Sequence, residues 1–152
     1  MVKSDIDEMG PIDYLVVEFP GSRMSGEGLP LLVDLVDRGI IRIMDLVFIR
    51  KLPEGKVIRV ELAGTRMDGG DADLSMFEGA SSGLLDQQDV DAAAEAIQPG
   101  STAGLIIYEN RWAAPLATAL RRGGAQLVAG GRVPVQALLA ALDAAEAAAQ
   151  RN

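Results

Sequence analysis

Residues 40–64, "IIRIMDLVFIRKLPEGKVIRVELAG", constrain the fold more than any other stretch of this chain. The first part, 40–51, is an apolar run of strand length rich in β-branched residues, and it predicts a strand that starts at Ile40 or at Ile43. "LPEGK" places Pro53 and Gly55 for a tight turn. In "VIRVELAG", Ile58, Val60 and Leu62 alternate with Arg59 and Glu61, which predicts one buried face and one wet face. Two strands joined by so short a turn are antiparallel neighbours. A lone hairpin is marginal in water, so the rest of the chain has to extend and cover it.

The flanking segments supply elements of the right kind. "IDYLVVEFP" (12–20) reads as a strand and leads through "GSRMSGEG" into a helix. That helix carries Leu29, Leu32, Val33 and Val36 on one side, with Pro30 in its first turn and Gly39 as its stop. Beyond the hairpin, about twenty residues around 66–85 lack firm periodicity and read as one long acidic loop. "DQQDVDAAAEAIQPG" then predicts a helix with Asp86 as cap, Asp89 three residues on, and Val90, Ala93, Ala94 and Ile97 as its apolar stripe. "TAGLIIYE" is a short buried strand. It is followed by a helix with Trp112, Leu116, Ala119 and Leu120 on one side, a last strand in "AQLVAGGRV", and a terminal helix with Val135, Leu138, Leu139 and Leu142 facing in. The order β-α-β-β-α-β predicts an α+β fold, a ferredoxin-like antiparallel sheet with both helices on one face and a C-terminal α-β-α extension. Residues 1–152 form one domain on this reading, with 1–10 flexible and Met9 standing where a start codon would serve as well as Met1.

Composition narrows the chemistry. The chain has no histidine and no cysteine, which excludes Ser-His-Asp and Cys-His catalysis and any zinc–thiolate site. The formal charge is −8, which argues against nucleic acid and anionic membranes as partners. No apolar run approaches the roughly 20 residues needed to span a bilayer, and the first ten residues lack the apolar core of a signal peptide, so a cytoplasmic location is expected. The charge is unevenly placed. Residues 67–110 hold nine acids and no Lys or Arg, leaving the remainder near neutral at 14 basic against 13 acidic side chains.

Three stretches invite a functional reading. In "GSRMSGEG", Gly21 and Gly26 have the spacing of a phosphate-binding loop. Glu27 and Gly28 stand where that loop needs Lys and Ser/Thr, so the stretch reads as a turn with Ser25 or Gly26 near a helix cap. Arg23 and the helix N-terminus are what remains of an anion site. In "DGGDADLSMFEG", neither Asp68 nor Asp71 as first ligand completes an EF-hand. Asp71, Asp73 and Glu78 are the candidate ligands for an oxygen-loving ion, against the plainer reading of a solvated loop. In "YENRW", Glu109 and Arg111 follow a buried strand, where ligand groups often gather in α/β sheets. Glu18, Glu109, Arg111 and Trp112 are the candidates for a small-ligand site, with Asp13, Tyr14 and Tyr108 as further polar groups; the plainer reading makes Asn110 a cap and Trp112 a core anchor.

The stretches "GPIDYLVVEFPG", "LVDLVDRGIIRIMDLVFIRK", "IQPGSTAGLIIYENRWA" and "LRRGGAQLVAGGRVP" resemble a group of small bacterial proteins related to the general-stress-protein-like family. The resemblance implies a small α+β fold and a stress-related setting, and it brings no catalytic residues. Where such relatives carry an apolar Gly-rich stretch this chain has its acidic segment, so membrane association is not implied. The expectation is a non-enzymatic homo-oligomer, a dimer first, with no cofactor. A sensor or small-molecule-binding domain is the alternative, and a dimeric α+β-barrel enzyme is the third reading.

Overall fold

The computed structural model describes residues 8–23, 28–61 and 82–151. Its elements are β1 (Ile12–Phe19), α1 (Gly28–Asp37), β2 (Ile41–Lys51), β3 (Val57–Val60), α2 (Gln87–Ala96), β4 (Thr102–Asn110), α3 (Ala114–Arg122) and α4 (Val135–Gln150). Short 3-10 turns at Pro20–Ser22 and Arg111–Ala113 follow β1 and β4. The class is α+β, as the periodicity predicts.

The four strands form one antiparallel sheet in the order β1-β4-β2-β3. Each β-α-β connection is split: β1 to β2 passes over β4, and β3 to β4 passes over β2. The long strands β2 and β4 lie inside and carry most of the buried residues, while β1 and β3 are the edges. The finer ferredoxin-like expectation is not established by this order.

Both helices do not lie on one face, and here the expectation is corrected. Val90, Ala93, Ala94 and Ile97 of the α2 region pack on Val47, Ile49, Ala103 and Leu105. Leu32 and Val33 of α1 pack against Leu46 and Phe48, on the opposite side of the sheet. The apolar runs in β2 and β4 explain this, because strands covered on both faces read as continuous hydrophobic stretches rather than alternating ones. The two crossovers are related by a two-fold normal to the sheet in strand order and direction. Helices on opposite faces therefore give them opposite hands, so one departs from the usual right-handed rule.

Local chemistry accounts for the helix ends. Asp86 accepts from the Asp89 N–H and Asp89 accepts from the Asp86 N–H, each at 3.0 Å, which is the reciprocal box expected from the sequence. At the other end of α2, Lys51 Nζ reaches the carbonyls of Ala94 and Ile97 at 2.9 and 3.2 Å, where a helix leaves acceptors unpaired. Gly39 takes φ +69° after α1, and the Ile40 N–H returns to the Leu35 carbonyl, closing that helix.

The C-terminal part departs from expectation. Residues 125–134 form no strand and are exposed throughout. Val135, Leu138, Leu139 and Leu142 of α4 do not face a core; each is more than half exposed. Trp112, Leu116 and Leu120 are also exposed, and α3 contributes no buried residue. "AQLVAGGRV" has strand composition, but a strand needs a neighbour to pair with, and this segment makes no ladder. Near the other terminus, Met9 is buried and the Gly10 N–H is bonded, so these two residues of the segment expected to be flexible are held in place.

Candidate functional site

The strongest cluster lies where β1, β4 and β2 end together. Register places Glu109 opposite both Ile12 and Arg42. Glu109 is only 3% exposed, an expensive place for a carboxylate unless it is paired. Its Oε2 accepts the Gly10 N–H at 2.9 Å, and its Oε1 accepts Arg42 Nε at 3.0 Å. Arg111 Nη1 approaches the same Oε1 at 3.8 Å. Glu109 and Arg111 thus lie together, and Arg42 joins them.

Around this cluster the neighbours are polar and bonded. Asn110 Nδ2 donates to the Pro11 carbonyl at 3.1 Å and to Asp13 Oδ2 at 3.0 Å, and Asn110 Oδ1 accepts from Trp112 Nε1 at 3.3 Å. Asn110 therefore does not cap the helix, and Trp112, 67% exposed, is not a core anchor. Arg132 donates to the Tyr108 hydroxyl and lies 3.8 Å from Asp13 Oδ2. Arg121 donates to the Met9 carbonyl.

Glu18 does not join the cluster. It pairs with Ala103 at the far end of β1, and its Oε2 accepts the Gln98 N–H at 2.8 Å. Six residues of strand put it about 20 Å from Glu109. Arg23 is exposed after the 3-10 turn, and that turn is tied to the sheet by Ser22 Oγ donating to the Gly100 carbonyl and Thr102 Oγ1 donating to Ser22 Oγ, both at 2.8 Å. Ser25, Gly26 and Glu27 lie outside the described residues, as do Asp71, Asp73 and Glu78. Among the described residues, no group of three acidic side chains is placed to hold a metal ion.

Sequence reasoning passed over Asp45. It is fully buried at the irregularity between Ile43 and Asp45, where β2 shifts register against β4. Its Oδ1 accepts the N–H groups of Leu46 at 3.0 Å and Ser82 at 3.1 Å, and its Oδ2 accepts that of Leu85 at 2.7 Å. Ser82 Oγ adds a bond to the Met44 carbonyl. Three backbone donors satisfy the carboxylate, so Asp45 fastens the segment entering α2 onto the sheet.

A second feature is an apolar groove of about 380 Å³ between β1 and α2. Tyr14 and Val16 form one wall, Ala92, Ala93 and Ala96 the other, and Leu105 contributes to the lining. Asp89 reaches it, but that carboxylate is already used in the helix cap.

Among the described residues, no helix is long and apolar enough to cross a membrane. Comparison with curated proteins and with solved structures gives no match for this chain. A family profile described as a family of unknown function, DUF6325, matches residues 8–151. That match covers the sheet, both crossovers and the C-terminal arm, and the chain belongs to this family of unknown function.

Proposed function

We propose that the chain is a non-enzymatic module that assembles with copies of itself, a dimer first. One observation carries this reading: the apolar stripe of α4, Val135, Leu138, Leu139 and Leu142, is folded into a regular helix and left uncovered. A 16-residue amphipathic helix gains most of its stability from packing, so an uncovered stripe calls for a partner surface. β1 supports the same reading. It is a largely apolar strand, yet it is an edge strand with Ile12, Tyr14, Val16 and Val17 exposed, and its interior holds neither Lys nor Pro to discourage pairing.

The chemistry of the buried groups favours a non-catalytic role. Asp45 and Glu109 are both saturated by N–H donors, and neither is aimed at the groove as a free base. A cytoplasmic, stress-related setting belongs to the proposal through composition and resemblance, and no residue of the cluster carries it. Kinship with ferredoxin-like sheets is supported by the two split crossovers and opposed by helices on opposite faces.

Light scattering behind size exclusion, over a concentration series, tests the reading. The expected mass is a multiple of 16.0 kDa that falls toward the monomer in the double variant Leu138→Glu, Leu142→Glu. A wild-type chain that stays monomeric at the highest concentration refutes it.

A further inference from the structure

The arginines around Glu109 are more numerous than its carboxylate needs. Both oxygens already accept a well-formed hydrogen bond, one from Gly10 and one from Arg42. Arg111 stands 3.8 Å from Oε1, too far for a hydrogen bond. Arg42 engages through Nε alone, so among the described residues its two Nη groups have no acceptor, and the Arg111 side chain donates no hydrogen bond. The two side chains are 45% and 52% exposed. Two guanidiniums therefore face one buried carboxylate, leaving a net positive charge at this spot in a chain of charge −8. Glu109 fixes the Nε edge of Arg42 and leaves the opposite edge to solvent, a fork suited to a carboxylate or phosphate.

We propose that Arg42 and Arg111 form a receptor for one oxyanion, the carboxylate or phosphate of a small acidic molecule, with Glu109 as the positioning residue. The anion supplies the acceptors that the two guanidiniums lack and balances the second positive charge. Trp112, next in the chain and exposed, offers an aromatic surface at the same turn and serves as a reporter. This inference does not depend on self-association: a monomer presents the same two arginines.

The test is a nitrogen–proton NMR titration at constant ionic strength, with inorganic phosphate in one arm and succinate in the other. The expected result is a saturable shift of the Arg42 and Arg111 Nε–H signals and of the Trp112 indole N–H. Arg111→Gln, which removes no side-chain hydrogen bond between described residues, should weaken binding at least tenfold. Arg38→Gln, at an exposed pair with Asp34 on α1, should leave it unchanged. Tighter binding of phosphate points to a phosphorylated ligand, and tighter binding of succinate points to a carboxylic acid. Shifts that fail to saturate in both arms, or an Arg111→Gln variant that binds as well as wild type, overturn the proposal.

Discussion

Asp45 shows how a single side chain can decide a local structure. A buried carboxylate is tolerable only with donors on it, and here three backbone N–H groups provide them. Asp45→Asn keeps one oxygen but presents an NH₂ group toward the Leu85 N–H, replacing an acceptor with a donor. Loss of about 1–3 kcal/mol in stability is expected, with Asp45→Ala at least as costly. Urea denaturation measures it, and an Asn variant as stable as wild type would show that these bonds do not hold the segment. Gly10 is the second such position. A Cβ built there falls 2.2 Å from the Asn110 carbonyl oxygen and 3.1 Å from the Ala114 nitrogen, both backbone atoms that cannot swing away. Gly10→Ala should cost about 1–3 kcal/mol, and it should release the Gly10–Glu109 bond, seen as faster exchange of the Gly10 amide.

At the scale of elements, α2 is closed at both ends by side chains. The hydrogen bond from the Asp89 N–H, first among its causes, holds the Asp86 carboxyl below its ordinary acid range. A depressed folded-state pKa means that Asp86 stabilises the helix above the unfolded value near 3.9 and that this contribution fades as pH falls through the lower folded value. Amide exchange in the first turn of α2 should therefore rise as pH is lowered below about 4, after correction for intrinsic rates, and Asp86→Asn should flatten that dependence. A pH-independent first turn in wild type would dismiss the carboxylate as its anchor. This cap was legible because a helix N-terminus is encoded within four residues. The convergence of Glu109 and Arg111 was legible for the same reason, both lying at one strand end. Arg42 was not, since its meeting with Glu109 is a matter of register between strands 67 residues apart in sequence. Asp45 did carry a signal, a lone acid inside "IMDLVF", where apolar neighbours on both sides demand partners. The strand in 125–133 and the buried Trp112 were misjudged because composition reports what a segment can bury, and the burying surface has to be supplied by something else.

For the whole molecule, the question is what covers the C-terminal arm. Residues 125–134 are exposed, and α4 has no buried residue, so the arm's bonds to the sheet end come from Arg132 reaching Tyr108 and Asp13. Exposed ion pairs of this kind contribute about 0–1 kcal/mol. If the apolar stripe of α4 serves a second copy, ending the chain at Gly131 removes the interface and little else. The monomer's unfolding free energy, measured at low concentration, should then change by no more than about 1 kcal/mol, while the concentration-dependent mass disappears. The turn after α3 survives this truncation, because the Ala125 N–H still reaches the Leu120 carbonyl. If instead α4 packs on its own chain in solution, truncation uncovers the surface beneath four large apolar side chains, each contributing about 1.5–3 kcal/mol when fully buried. The shortened chain would then lose several kcal/mol. The two arrangements differ by more than the error of a denaturation curve. A large loss of stability in a chain that was monomeric before truncation would end the self-assembly reading, and a small loss accompanied by loss of the oligomer would place α4 at the interface.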